Sequence, residues 1–408
     1  MRVLMDASTA NMGGARTHLR HLLQSLPHEA SPDDSFVILV PQGTSAPLQL
    51  LLREHTATSF RLQEQVQLLE IPRFRGGLLQ QFEARTRVIP EIALSVKADV
   101  LFSSTGYGVW NRPCPELLHL PNAGYFCPLY EQRALALRAK NTKLYFRRVL
   151  SLLSIRHTDF VMFLSESLKC DVERHLSLRH KRSAVVHYGV DTSVFSQASE
   201  TPPTLAPQIK AWKEQGYRIL LHVSSYALQK NMEVVLEALP VLQTMGHKVK
   251  WVTTLSREKT GEKELYDRFL KRTEELGLSE VIVSSGYLEH RELAWLYNNA
   301  DAFVFPSHTE SFGQPLVEAM AASLPVVASD RPVHHELGSD AFCYFDTFDA
   351  LSCAQALHRV LSDPALVETM KQRSKQRSRL FSWRMYTRRL LELLHEVASK
   401  PTSWHQAA

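Results

Sequence analysis

The chain has 408 residues, more than one ordinary hydrophobic core organises, which indicates two domains. Its hydrophobic content of 44% and charged content of 22% are typical of an ordinary soluble globular protein. No apolar run reaches the ~20 residues of a membrane-spanning helix, so we expect no such helix. The net charge of +5 suits an anionic ligand or a membrane surface but requires neither.

The cysteines and the first residues bear on the cellular compartment. The five cysteines are scattered, odd in number and without a CxxC spacing, which indicates reduced cytosolic thiols rather than a disulfide framework or a zinc site. They are Cys114, Cys127, Cys170, Cys343 and Cys353. The opening MRVLMDAS runs directly into a predicted strand and has no signal-peptide pattern. We therefore expect a cytoplasmic protein.

Short apolar runs in the first half of the chain predict buried parallel strands. These runs are RVLMDA (2–7), SFVILVP (35–41), DVLFSS (99–104), ELLHLP (116–121), DFVMFLS (159–165) and SAVVHYG (183–189). Helical patterns lie between several of them, for example at 15–26 and 166–178. The alternation of strand and helix predicts one doubly wound domain.

A second series of strands and helices follows. Its predicted strands are 218–225, 248–255, 280–286, 301–307 and 324–330, and its predicted helices are 231–244, 261–277, 290–299, 315–323 and 349–361. The stretch SQASETPPTLAPQ (196–208) is rich in Pro, Ser and Thr and is the natural linker. The sequence thus predicts an α/β fold of two Rossmann-like doubly wound domains.

We place the first domain at 1–195, on the acceptor side, the linker at 196–208 and the second domain at 209–380. The remaining residues, 381–408, contain an amphipathic helix that we expect to cross back toward the first domain. In open α/β sheets, ligands bind outside the carboxyl ends of the strands. The residues that follow each predicted strand are therefore the candidates for a site.

The segment HTESFGQPLVEAM (308–320) carries the strongest such candidates. A strand ends before it and a helix begins near Pro315, where proline is well tolerated. The amides of Phe312, Gly313 and Gln314 would lie at the positive end of the helix dipole, which favours an anion. Glu310 lies in the loop, and the two oxygens of Glu318, on the first helical turn, could accept from adjacent hydroxyls. An anion beside a diol is what a nucleotide sugar offers.

This segment resembles the E-x7-E signature of the retaining, GT-B-fold glycosyltransferases called family 4, in E-x-FG-x-P-L-x-EAMA followed by PVVASD. Weaker resemblance covers nearly the whole chain. It includes VMFLSESLKCDV (161–172), YGVDTSVF (188–195), GYLEHRELAWLYNNADAFVFPS (286–307) and FSW (381–383). The resemblance implies two Rossmann-like domains facing across a cleft, with the donor bound mainly to the second.

The resemblance also implies roles for single residues. Glu310 would contact the donor sugar near the reacting centre, and Glu318 would hold the ribose hydroxyls. The amides from Phe312 to Pro315 would face the sugar and the diphosphate. The choice of base, among uracil, guanine and adenine, is expected to depend on the loop near Ser285–Leu288, and the choice of sugar on contacts around His308–Gln314. The donor is expected to be a UDP- or GDP-sugar.

Lys230 follows the first strand of the second domain and lies just before a helix, where the helix dipole disfavours a cation. It is a candidate for stabilising the diphosphate as it leaves. Family members carry a glycine and an arginine where this chain has Ser224 and Ser225. The second cationic residue that would bind the diphosphate is therefore missing from that place. Serines, backbone amides or another basic residue such as Arg16 or Arg331 would have to substitute.

Two candidates lie in the first domain. Gly13 and Gly14, between a strand and a helix, resemble the family's N-terminal glycine loop near the donor phosphate, although a Gly-Gly pair is as often simple turn geometry. His119, at the end of a predicted strand, matches a histidine that contacts the transferred sugar in the family. A lone histidine is as often structural.

Two segments are candidates for the acceptor. FRGGLLQQFEARTRVIP (74–90) follows a probable strand and carries a Gly-Gly pair. The segment 130–157 is a helical pattern rich in Arg and Lys with interleaved Leu, Tyr and Phe. It predicts either a basic face packed on a sheet or peripheral contact with the inner face of an anionic membrane.

No spacing in the sequence is typical of a metal site, and no DxD motif follows a strand, so we expect no essential metal and no separate cofactor. No nucleic-acid partner is expected. The prediction is a retaining hexosyltransferase of class EC 2.4 that acts on a glycan or lipid-linked acceptor in cell-envelope polysaccharide or glycolipid synthesis. Two alternatives remain open: a nucleotide-sugar 2-epimerase on the same fold, and a non-catalytic nucleotide-sugar-binding subunit.

Overall fold

The computed structural model describes residues 1–10, 13–46, 48–49, 52, 65–72, 78–136, 142–196 and 202–400. The chain divides into two compact units. Unit 1 comprises Met1–Phe126, Lys140–Gly189 and Trp383–Ala408, and unit 2 comprises Cys127–Ala139 and Val190–Ser382. Each unit is an open parallel sheet flanked by helices.

Unit 1 contains a seven-stranded parallel sheet in the order β3-β2-β1-β4-β5-β6-β7. The strands are β1 (Arg2–Asp6), β2 (Ser35–Pro41), β3 (Val66–Ile71), β4 (Val100–Ser103), β5 (Glu116–Leu120), β6 (Phe160–Phe163) and β7 (Ser183–Val185). The described helices of this unit are Gly13–Glu29, Leu78–Glu83, Ile89–Ser95, Thr142–His157, Glu166–Glu173 and Trp383–Ser399. A π-helical turn, Ala84–Val88, and a 3-10 turn, Ala123–Tyr125, complete it.

Unit 2 contains a six-stranded parallel sheet in the order β10-β9-β8-β11-β12-β13. The strands are β8 (Arg218–His222), β9 (Val249–Thr253), β10 (Ile282–Ser284), β11 (Ala302–Phe305), β12 (Val326–Ser329) and β13 (Phe342–Phe345). The described helices are Pro128–Ala136, Thr192–Phe195, Ala206–Glu214, Met232–Thr244, Lys263–Glu275, His290–Asn299, Gln314–Ala321, Pro332–Gly338, Ala350–Ser362 and Pro364–Ser378. Leu228–Lys230 and Ser339–Ala341 form 3-10 turns.

The prediction of two Rossmann-like doubly wound domains is confirmed. Both sheets are parallel, and in each of them the order of the strands reverses at the first strand of the domain, β1 or β8. The sequence analysis missed β13, because the four-residue run FCYF directly follows a turn and carries no alternation or length that distinguishes a strand. It also missed the helices Pro332–Gly338 and Pro364–Ser378. β13 is the edge strand of this sheet, next to β12.

The central strand β11 shows why the site has a rigid support. Its residues, AFVF, are all apolar, as expected for a parallel strand covered by helices on both faces. Each of them is 0% exposed. Burying Phe303, Val304 and Phe305 contributes about 1.5–3 kcal/mol per side chain. The loop that begins at Pro306 is therefore anchored to the most buried part of the unit.

The division of the chain differs from the predicted boundaries. The segment Cys127–Ala139 belongs to unit 2 although it lies within the predicted first domain, and Val190 begins unit 2 before the predicted linker. The helix Ala206–Glu214 starts inside that linker, while residues 197–201 lie outside the described residues. The tail helix Trp383–Ser399 belongs to unit 1, where it packs against the helix Gly13–Glu29.

Two described helices cover parts of the predicted basic segment 130–157. They are Pro128–Ala136, which belongs to unit 2, and Thr142–His157, which belongs to unit 1, with 137–141 outside the described residues. Contact of this segment with a membrane stays a prediction. In the part of the chain that the structure describes, no helix is both long and apolar enough to cross a membrane.

Candidate active site

Four loops of unit 2 meet at the carboxyl edge of its sheet. Asn231 joins two of them, since its side-chain amide donates to the carbonyl oxygens of Pro306 at 3.2 Å and Thr347 at 2.7 Å. The hydroxyl of Ser329 donates to the carbonyl oxygen of Ser307 at 2.6 Å. These bonds tie the ends of β8, β11, β12 and β13 together, at the edge where ligands of open α/β sheets bind.

Lys230 and Glu310 form an ion pair at this edge. The Lys230 ammonium donates to the Glu310 carboxylate at 2.6 Å, and it lies 5.6 Å from the centre of the Phe305 ring. The two side chains are only 16% and 13% exposed. Burial alone would raise the pKa of Glu310, but the charge and hydrogen bond of Lys230 outweigh it and lower that pKa. The pair is thus a charged, nearly buried feature at the end of β11.

The backbone around Asn231 explains where Lys230 points. Asn231 is in the left-handed region at φ 51° and ψ 42°, between the 3-10 turn Leu228–Lys230 and the helix Met232–Thr244. Asparagine tolerates this conformation better than most residues, and its buried amide holds it there. The chain therefore turns sharply after Lys230, which leaves the lysine at the sheet edge instead of in the first turn of the helix.

Gly313 starts the helix Gln314–Ala321 from the left-handed region, at φ 101°. A Cβ atom at this position would meet a Leu316 methyl at 3.1 Å, so any side chain would be both strained and crowded. The Phe312 ring is 2% exposed and packs edge-on against Phe381, so the side chain is part of the packed interior of unit 2. Pro315 occupies the first turn, as predicted.

Glu318 is the most perturbed acid of the site. It lies on the second helical turn, not the first as predicted, because the helix already begins at Gln314. It is 5% exposed and accepts a hydrogen bond from the Tyr297 hydroxyl at 3.0 Å. Burial raises the pKa of Glu318 from 4.5 to about 8, even though hydrogen bonds from Tyr297 and Gln314 lower it. The sequence analysis did not find Tyr297, whose helical position gives no sign of a polar partner.

The pKa of Glu318 gives a pH-dependent prediction. Because the folded value of about 8 exceeds the ordinary 4.5, the folded state retains a proton that the unfolded state releases between these pH values. The contribution of protonated Glu318 to the free energy of unfolding is complete below pH 4.5. It declines by about 1.4 kcal/mol per pH unit as pH rises toward 8. Urea unfolding of Glu318→Gln should lack this decline. Parallel pH profiles of the wild type and the variant would contradict the raised pKa.

Ser224 and Ser225 follow β8 but differ in their surroundings. The Ser224 hydroxyl lies 2.6 Å from Nε2 of His222, and its amide donates to the Thr254 hydroxyl at 3.0 Å. His222 is fully buried with Nδ1 2.9 Å from the Val304 carbonyl oxygen, and burial lowers its pKa to about 4. Ser225 is exposed. Of the two predicted phosphate contacts, Ser225 therefore has the freer hydroxyl.

Two further buried histidines lie at this edge: His308, within the range expected to set the choice of sugar, and His334, which was not predicted as a site residue. His308 Nδ1 lies 2.8 Å from the Thr309 hydroxyl, and His334 Nδ1 lies 2.8 Å from the Ser329 carbonyl oxygen. Burial lowers the pKa of each to about 4, so both are neutral at pH 7. The Nε2 atoms of both are buried and have no hydrogen-bond partner among the described residues. His334 is one of an HH doublet in a helix, a pattern that does not by itself identify a site residue.

The first-domain candidates lie in unit 1. Gly13 begins the helix Gly13–Glu29, and a Cβ atom on Gly14 would meet nothing within 4 Å, so Gly14 is not required by close packing. His119 is 0% exposed, its Nε2 lies 3.3 Å from the Tyr188 hydroxyl, and its ring lies 5.4 Å from the His18 ring. Burial lowers the pKa of His119 to about 3. These surroundings favour the structural interpretation of His119.

We therefore expect His119→Ala to act on stability. Removing a fully buried ring should lower the free energy of unfolding by about 2–4 kcal/mol, since a cavity remains within unit 1. The affinity for a nucleoside diphosphate should not change. Chemical denaturation and equilibrium binding measure the two effects, with the exposed His28→Ala as control. Wild-type stability combined with lost turnover would instead identify His119 as a sugar contact.

Among the described residues, no three His, Cys, Asp or Glu side chains are grouped so that they could hold a metal ion. The expectation that no metal is needed stays a prediction. The residues brought together at the edge of unit 2 are thus a charged pair, a helix N-terminus and neutral histidines. This combination can bind hydroxyl groups and an anion side by side.

Comparison with known proteins finds similarity to a family model within unit 2. Residues 207–377 match the model of the family described as glycosyl transferases group 1. The chain is 29% identical over 185 residues to O-antigen chain mannosyltransferase B of Escherichia coli, covering 45% of this chain and 46% of that protein. It is 24% identical over 218 residues to O-antigen chain mannosyltransferase RfbU of Salmonella typhimurium, covering 53% and 55%. The chain thus spans about half the length of these relatives.

Solved structures support the fold over the whole chain. Sucrose-phosphate synthase from Thermosynechococcus elongatus superposes with a TM-score of 0.72 at 16% identity, covering 98% of this chain and 99% of that one. HepE of Anabaena, solved in complex with UDP-glucose, superposes with a TM-score of 0.71 at 16% identity, covering 97% and 100%. The predicted GT-B fold class is confirmed by these likenesses and the two sheets. The match to the group 1 glycosyl transferases lies within unit 2, over residues 207–377.

Proposed function

We propose that the chain is a retaining glycosyltransferase of class EC 2.4, which moves a sugar from a UDP- or GDP-sugar to a hydroxyl group of its acceptor. The observation that carries this proposal is the Lys230–Glu310 ion pair at 2.6 Å, in a unit that matches the group 1 glycosyl transferases. The helix N-terminus at Gly313–Gln314 supplies backbone amides next to it in sequence. A cation, a carboxylate and backbone amides are groups that bind a sugar diphosphate.

The proposed chemistry needs no covalent intermediate. The bond between the anomeric carbon and the phosphate oxygen breaks, and a bond to the acceptor oxygen forms on the same face. The acceptor proton passes to the leaving phosphate oxygen. Lys230 and the amides stabilise the charge that develops on the diphosphate, while Glu310 holds the sugar hydroxyls. In this scheme the Lys230 charge also offsets the repulsion between Glu310 and the diphosphate.

The ribose would be held by Glu318. Its raised pKa of about 8 and its Tyr297 partner are consistent with an acid that is protonated without a ligand and accepts hydroxyl hydrogen bonds once ionised. Nucleotide affinity should then increase from pH 6 to pH 8. Glu318→Gln should bind more weakly and without this increase.

The acceptor is proposed to be a glycan or a lipid-linked glycan of the cell envelope. The similarity to two O-antigen chain mannosyltransferases supports this choice. The helix Thr142–His157 supports contact with an anionic membrane, because Tyr145, Phe146 and Leu153 are 66%, 50% and 43% exposed beside exposed arginines. We therefore propose a peripheral position on the inner face of the membrane. Flotation with phosphatidylglycerol vesicles tests it, and Phe146→Ser should reduce binding.

The experiment that tests the proposed function is nucleotide release from a panel of UDP- and GDP-sugars, incubated with bacterial lipid-linked glycans. We expect one donor to be used, with slow hydrolysis when no acceptor is present. Tight donor binding without release, with every acceptor, would instead favour the binding-subunit alternative. Interconversion of the donor without an acceptor would favour the 2-epimerase. No nucleotide binding at all would refute the proposal.

A further inference from the structure

The Lys230–Glu310 site has two arginines beside it that the proposed chemistry does not use. Arg133 lies on the helix Pro128–Ala136 and Arg331 follows β12, and both belong to unit 2. The Arg133 guanidinium lies 5.0 Å from the centre of the Phe348 ring. The His308 ring is 5.8 Å from the same ring. Phe348 therefore connects Arg133 to His308, two residues before Glu310.

Arg331 follows β12, the strand next to β11. The hydroxyl of Ser329 bonds to the Ser307 carbonyl oxygen at 2.6 Å, so the chain leaving β12 runs beside the loop that leads to Glu310. Arg331 follows Ser329 by two residues and caps the helix Pro332–Gly338. The charges of Arg133 and Arg331 both help to lower the pKa of His308, after burial, which agrees with guanidinium groups close to that ring.

The two arginine charges are not neutralised within the described part of the chain. Neither Arg133 nor Arg331 has a carboxylate within ion-pair distance there, since Glu310 is paired with Lys230 and Asp330 lies 2.7 Å from His335. The Arg133 Nε atom is buried and has no hydrogen-bond partner among the described residues. Buried donors without partners are costly, so an anion that accepts from them would be stabilised.

His308 adds a feature that a simple anion site does not need. It is 1% exposed, neutral, and its buried Nε2 lacks a partner in the described residues. Nδ1 lies 2.8 Å from the Thr309 hydroxyl, and Nε2 of the neutral ring donates or accepts according to the tautomer. A ligand that carries a hydroxyl group next to its negative charge suits either tautomer, because a hydroxyl both donates and accepts. Carbohydrates with an acidic group have this combination.

The strand order indicates which part of a substrate would reach this subsite. β8, β9 and β10 lie on one side of β11, whereas Arg331 and Phe348 follow β12 and β13 on the other side. Under the proposed function, the nucleotide occupies the side of Lys230, Ser225 and the loop after β10. Arg133 and Arg331 would then lie beyond Glu310, on the sugar side.

We propose that Arg133, Arg331 and His308 form a subsite for an acidic sugar, with the guanidinium groups binding its carboxylate or phosphate and His308 forming a hydrogen bond with a hydroxyl. This inference rests on the proposed function for its placement and adds a substrate class to it. The acidic sugar is either the group transferred from the donor or a part of the acceptor.

The test compares acidic and neutral sugars by isothermal titration. One arm uses UDP-glucuronic acid against UDP-glucose and GDP-mannuronic acid against GDP-mannose. The other arm uses free glucuronic acid and glucose 6-phosphate against glucose. Each is titrated into the wild type, Arg133→Gln, Arg331→Gln and the exposed control Arg291→Gln. UDP and GDP alone serve as references.

We expect the wild type to prefer the acidic member at least about tenfold in one arm, and that arm identifies the source. Arg133→Gln and Arg331→Gln should each remove the preference, while UDP and GDP affinities stay unchanged. No acidic preference in either arm would overturn the inference. An equal loss of UDP or GDP affinity in both variants would also overturn it, since the arginines would then bind the diphosphate. The free-sugar arm requires no nucleotide, so it tests the subsite even where the proposed donor chemistry fails.

Discussion

Replacing Glu310 with glutamine should reduce sugar transfer about 10²- to 10³-fold while nucleoside diphosphate binding is kept or becomes tighter. The amide cannot accept from the sugar hydroxyls as strongly as a carboxylate does. At the same time, Lys230 loses the partner that it holds at 2.6 Å, so its charge becomes fully available to the diphosphate. Turnover with the identified donor and isothermal titration with its nucleoside diphosphate measure the two effects.

The exposed Glu274→Gln is the matched control for this change and should behave as the wild type. The opposite movement of turnover and diphosphate affinity is what separates a role in the reaction from simple damage to the fold. If Glu310→Gln turned over normally, the assignment of Glu310 to the donor sugar would be wrong. If it lost both turnover and diphosphate binding, the loop would be the damaged element.

Replacing Lys230 with methionine should lower both stability and activity. It leaves the Glu310 carboxylate nearly buried without a counter-charge, which should cost about 2–4 kcal/mol at pH 7. Turnover should decrease about 10²- to 10³-fold, because no cation then stabilises the leaving diphosphate. Urea unfolding and donor turnover are the measurements, with the exposed Lys271→Met as control.

The pH dependence of this variant has a definite sign. In the wild type, the lowered pKa of Glu310 stabilises the fold above pH 4.5 and this stability is lost as pH falls through the folded value. In Lys230→Met, the charge and hydrogen bond of Lys230 are lost, and burial, the largest cause, raises the pKa of Glu310 against the hydrogen bond of Ser307, so stability decreases as pH rises from 4.5. The stability difference should therefore widen from pH 4 to pH 7.

The double variant Lys230→Met/Glu310→Gln should recover most of the lost stability, because it removes the unpaired charge. It should recover none of the turnover, because it lacks both side chains that are proposed to contact the donor. A double variant as unstable as Lys230→Met would indicate that packing of the lysine stem, rather than charge, explains the loss. That result would weaken the role of the ion pair at the end of β11.

The two parallel sheets, and the sheet that carries the candidate site, can be predicted from the sequence alone. Runs such as AFVF predict buried strands because a parallel strand covered on both faces must be apolar throughout. Glu310, Gly313 and Glu318 are found from the sequence because loop, helix start and carboxylates are adjacent in the chain. The local chemistry of a helix N-terminus follows directly from these neighbours.

Only the tertiary structure decided which distant side chains meet. Lys230 pairs with Glu310 and Tyr297 with Glu318 because the strand order places β8 and the helix His290–Asn299 beside β11 and the helix that follows it. Arg133 reaches unit 2 from a segment that the sequence assigns to the other domain. The periodicity of apolar residues along the chain predicts which residues are buried. Contacts between distant side chains depend instead on how the strands are ordered and on where the chain crosses between units.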